Sequence, residues 1–106
     1  MQPCIRVKFE RMPSDPSVES SVHRWVARLD SPDAPVRAAC VTIEQAGRRH
    51  TAVTLKLLLA DGFSATAATS HVDIYVAVAD AFRAARRQLL ARRAPDRAPR
   101  LALSLA

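Results

Sequence analysis

Glycine occurs only twice in these 106 residues. That scarcity argues against a glycine-rich phosphate cradle, a dinucleotide fingerprint or a G-x-S-x-G nucleophile turn, each of which needs backbone that side chains would obstruct. Cysteine is as rare. Cys4 and Cys40 are too few for a disulfide scaffold, and reduced thiols in a cytoplasm are the expectation. Aromatic residues make up 5% of the chain, with no aromatic pair on a strand of the kind that stacks bases, so base stacking is not expected. The three histidines, His23, His50 and His71, lack the spacing by which three or four ligands converge on a metal, so neither metal nor cofactor is expected. The acids are scattered over turns and helix ends, with no carboxylate pair suited to acid–base work. An enzyme is therefore not expected. No apolar run approaches the roughly 18 residues of a membrane span. No apolar leader opens the sequence, so the expected location is cytoplasmic, away from any membrane.

What is present is a globular composition with an excess of positive charge. Apolar residues reach 49%, enough for a modest core in one domain. The formal net charge is +6, and arginine outnumbers lysine fourteen to two. Guanidinium forks match phosphate oxygens, and this surplus on a small domain points to a polyanionic partner, nucleic acid before membrane. No small-molecule substrate is implied.

Periodicity divides the chain into six elements. Cys4 to Phe9 alternates, with Ile5, Val7 and Phe9 on one face and Cys4, Arg6 and Lys8 on the other, as a half-exposed strand does. Asp15 and Pro16 read as the cap and first turn of a helix reaching about Asp30, with Val18, Val22, Trp25, Val26 and Leu29 as its apolar stripe. Pro32 and Pro35 stop it. Ala38–Glu44, Thr51–Leu59 and Phe63–Ala68 read as three further strands. A basic turn holding Arg48 and Arg49 joins the first two, and Asp61-Gly62 joins the last two. A long helix follows over Asp73–Leu89. Ile74, Val78, Ala81, Phe82, Ala85 and Leu89 form its stripe, and Ser70 is the expected cap, with Asp73 three residues on. Residues 1–94 then form one domain, and 95–106 a tail expected to be flexible.

The order is β-α-β-β-β-α, an α+β fold. A right-handed first crossover makes strands one and two parallel, and both helices then cover one face of a four-stranded sheet, much as in double-stranded-RNA-binding domains. The expected core holds Ile5, Val22, Trp25, Val41, Val53, Leu55, Val78 and Phe82. Strand parity turns Cys4 and Cys40 to the open face of neighbouring strands. The outward sides of the helices carry the candidate RNA-binding residues: Arg83, Arg86 and Arg87 on the second, with Arg92 and Arg93 beyond, and Arg24 and Arg28 on the first. Shape and backbone recognition of A-form RNA calls for such a surface.

The string DIYVAVADAFRAARRQL (73–89) resembles the last helix of the short ribosome hibernation promoting factors, the bacterial ribosome-associated inhibitor family. HTAVTLKLLLADGFSATA (50–67) is similar to that family's strand, turn and strand, and VTIEQ (41–45) to its second strand, ending in Glu44. The resemblance covers residues 4–93. It implies a factor that binds the 30S ribosomal subunit in the channel for messenger and transfer RNA and holds ribosomes idle. It also implies that Arg83, Arg86, Arg87, Arg24 and Arg28 face 16S rRNA. Helix one is thinner in charge here than in the family and carries Glu19 and Asp30. The alternative is a protein-interaction regulator on the same fold, using the open sheet face or the tail. The family's older description as a modulator of an alternative sigma factor leaves that reading open.

Overall fold

The structure, a computed structural model, describes residues 2–93; the tail at 95–106 and the side chain of Arg93 lie outside the described part. The elements are β1 (Cys4–Glu10), α1 (Pro16–Leu29), β2 (Val36–Ala46), β3 (His50–Leu59), β4 (Ser64–His71) and α2 (Ile74–Arg93). One sheet runs in the order β1-β2-β3-β4. β1 and β2 are parallel, and the other two pairings are antiparallel. Both helices pack on the same face, α1 toward β1 and β2, α2 over β3 and β4. The α+β expectation holds.

The helix ends follow from local chemistry. At α1 the Asp15 carboxylate accepts the Ser17 amide at 2.9 Å, with Pro16 just inside. The amide of Asp30 donates to the Val26 carbonyl at 2.9 Å, and its carboxylate accepts the Val36 amide at 2.8 Å. One residue thus closes α1 with its amide and starts β2 with its carboxylate. The start of α2 differs from expectation. Ser70 is still in β4, and Asp73 is the cap, accepting the Tyr75 amide at 2.8 Å while its own amide donates to His71 Nδ1 at 2.9 Å. Strand pairing overrides the local signal: β4 stays in register with β3 through Thr51–His71, three residues beyond where its sequence pattern fades. At the β3–β4 hairpin Gly62 sits at φ 95°, a conformation costly to other residues, and the Asp61 carboxylate accepts the Phe63 amide at 3.0 Å.

Val22, Val41, Val53, Leu55, Val78 and Phe82 are fully buried, as expected. Ile5 and Trp25 are only half-buried against that core. Ile5 lies on β1, which among the described residues has a strand on one side only. Trp25 lies at the rim where α1 meets α2.

The open face is a grid. Arg6, Cys40, Lys56 and Thr66 lie side by side across the four strands. Cys4 and Cys40 are free, exposed and on neighbouring strands, though offset: Cys4 stands beside Ala38 and Cys40 beside Arg6. At the β4 edge Gln88 of α2 reaches over to bond both backbone groups of Thr66, accepting its amide at 3.2 Å and donating to its carbonyl at 2.6 Å. Nearby, Thr69 Oγ1 donates to the Ala77 carbonyl at 2.7 Å.

Candidate functional site

Burying Val22 and Val26 on α1, and Val78, Phe82 and Leu89 on α2, rolls the next residues around each helix into a shared groove. Its wall contains Trp25 and Arg28 from α1 and Arg83, Arg86 and Leu90 from α2, enclosing about 520 Å³. Ligand clefts of roughly 300–1,000 Å³ are typical. The lining has three guanidinium groups and, among the described residues, no carboxylate. Asp80 pairs with Arg83 at 3.6 Å from outside the lining.

Trp25 organises the groove. Its ring is stacked on that of Phe82, with centroids 5.8 Å apart and planes 11° from parallel. Arg28, one turn later on α1, holds its guanidinium carbon 5.2 Å from the indole centroid. Arg83, from the opposite helix, holds its own at 5.7 Å. Arginines laid over an indole are attracted by its π-face and spend less freedom when they meet an anion.

The expected site residues therefore divide. Arg28, Arg83 and Arg86 are brought together. Arg24 borders a neighbouring hollow of about 200 Å³ with Ser21, Trp25 and Arg28. Arg87 is exposed on α2 outside the groove lining. Arg92 departs from the ridge altogether. Its guanidinium pairs with Asp61 and lies 4.6 Å from the centre of the Phe63 ring, fixing α2 to the β3–β4 hairpin. The apolar stripe of α1 places Trp25 in the core and does not reveal its position in the groove lining. The available signal is its spacing from Arg28: residues three apart on a helix face one another.

The Arg92 pairing has a measurable signature. The hydrogen bond from Arg92, and next the Phe63 amide, lower the Asp61 carboxyl below its ordinary 3.8. A depressed carboxylate contributes stability above its ordinary pKa, and that contribution is lost as pH falls through the lower folded value. Arg92→Ala is therefore expected to move the Asp61 titration upward in a carboxyl NMR experiment. An unchanged midpoint would show that the pair is not formed in solution.

Among the described residues no cluster of His, Cys, Asp and Glu could hold a metal, and no helix is long and apolar enough to cross a membrane. Neither a family model nor a curated protein sequence matches the chain. Solved structures do. A ribosomal subunit interface protein from Coxiella burnetii superposes with a TM-score of 0.73 at 16% identity, over 85% of this chain and 97% of that one. The N-terminal domain of Thermus thermophilus Protein Y superposes with a TM-score of 0.64 at 23% identity, over 80% of this chain and 90% of that one. The likeness drawn from the 73–89 string is borne out at the level of the fold.

Proposed function

We propose that this chain is a ribosome-associated factor of the hibernation type. It docks on the 16S rRNA of the 30S subunit through the basic faces of α1 and α2, occupies the channel used by messenger and transfer RNA, and so inhibits translation. The observation that carries this reading is the convergence of Arg28, Arg83 and Arg86, from two helices, on one groove whose described lining holds no acid. Arg24 and Arg87 extend the same surface to either side. The fold it shares with a protein described as a ribosomal subunit interface protein supports the choice of partner.

Sedimentation with purified 30S and 50S subunits over a salt series tests it. Binding through several phosphates falls steeply with salt, with a log–log slope of about −0.9 per contact for a duplex. Co-sedimentation with 30S that weakens in this way is expected. Failure to pellet with 30S at low salt would refute the proposal.

A second reading has one observation in its favour. On the open sheet face Cys4, Ala38, Cys40 and Leu58 form a shallow hollow of about 260 Å³ between Arg6 and Lys56. A protein partner seated there would bind through apolar contact and resist salt.

A further inference from the structure

We infer that the groove between α1 and α2 is a seat for one unpaired RNA base, stacked in the Trp25–Arg28 corner while Arg83 and Arg86 hold the adjoining phosphates. This rests on the proposed RNA-binding role and adds what that role leaves open, namely which form of RNA the groove selects. A surface that only neutralises phosphates needs exposed guanidinium groups and no aromatic. Here the chain's single tryptophan is half-buried in the lining of the cationic groove, stacked on the fully buried Phe82 and approached by two guanidinium groups. The indole is thus rigidly backed from the core and faces cations. Such a site suits a flat, electron-rich ring attached to an anion, and a nucleotide supplies both. Each base has a π-face, so stacking of this kind tolerates sequence. A duplex conceals those faces within its own stack. Only a base turned out of its helix, or one in a single strand, reaches Trp25.

The test compares three probes on the wild-type protein: a short oligoadenylate, a ribose-phosphate oligomer of the same length lacking bases, and a mixed-sequence RNA duplex. Indole emission and the anisotropy of end-labelled RNA are read together. Oligoadenylate is expected to quench Trp25 and to bind about tenfold or more tighter than the abasic oligomer. Trp25→Leu should remove that preference, and Trp25→Phe should keep most of it. Equal affinity for the oligoadenylate and the abasic oligomer, with unchanged emission, overturns the base seat and leaves the phosphate-binding reading standing. That comparison uses the unmodified protein, so it decides the matter even where the leucine variant folds poorly. Absence of binding to all three probes also overturns the inference, and the 30S sedimentation result then decides the parent reading by itself.

Discussion

Replacing Arg83, Arg86 and Arg87 together with glutamate is expected to abolish co-sedimentation with ribosomes while the protein remains folded. Three reversals take the formal net charge from +6 to zero, and they fall where the proposed interface is densest. Losing three phosphate contacts at moderate salt should cost about a hundredfold in affinity or more, with a salt slope shallower by roughly two to three units. The fold should survive because all three side chains are exposed. What is lost locally is one exposed pair, Arg83 with Asp80 at 3.6 Å, of a kind worth about 0–1 kcal/mol, and the Arg83 guanidinium over the Trp25 ring, worth roughly 0.5–1 kcal/mol at an exposed site. Acids in the second half of α2 also oppose the helix dipole by roughly 0.3–1 kcal/mol each. Circular dichroism and a thermal melt establish the folded state before binding is measured. A folded triple variant that still pellets at wild-type levels would show that α2 does not face the ribosome.

The largest expected effect on stability comes from Phe82→Ala. Phe82 is 0% exposed and is the largest of the fully buried side chains. Truncating a buried phenylalanine costs about 3–5 kcal/mol, because the transfer energy of the ring is lost and the cavity only partly collapses. Its stacking with Trp25 adds to that loss, by about 0.5–1.5 kcal/mol in comparable pairs. Total stabilities of about 5–15 kcal/mol are usual, so the variant should lose a large share of its margin. The melting midpoint should fall by more than about 12 °C. Chemical denaturation provides the check, and a loss below about 1 kcal/mol would mean that α2 is not docked as described. Because Phe82 backs the Trp25 indole, the same variant should also loosen the groove.

How far the sequence foretold these features depends on the range of the interaction concerned. The Asp15 cap, the Asp61-Gly62 turn and the alternation through Val53, Leu55 and Leu57 are local, and each reads directly from neighbouring residues. The α2 cap was misplaced because Ser70 and Asp73 are both acceptable locally, and a cross-strand pairing, Thr51 with His71, decides between them. Arg92 looks like one more arginine on a basic helix until Asp61, 31 positions earlier in the chain, takes hold of it. The stripe of α1 showed that Trp25 faces inward. It could not show that inward at this position means a rim, because the roll of α1 against α2 is set by the packing of Val22, Val26, Val78 and Phe82 together. Strand parity put Cys4 and Cys40 on the correct face, and the parallel register then separated them by a step along the strands.

The clasp of Gln88 on Thr66 bears on how copies of the protein can associate. A four-stranded sheet has two edges through which it can recruit further strands. Here Gln88 already occupies the amide and carbonyl of Thr66 on the β4 edge, so a strand pairing across that point would have to displace it. Among the described residues β1, which carries the charged Arg6 and Lys8, is the edge without such a clasp. Pairing of two copies through β1 about a two-fold axis closes the assembly, whereas growth into a fibril needs both edges of every subunit and so also the release of Gln88 from Thr66.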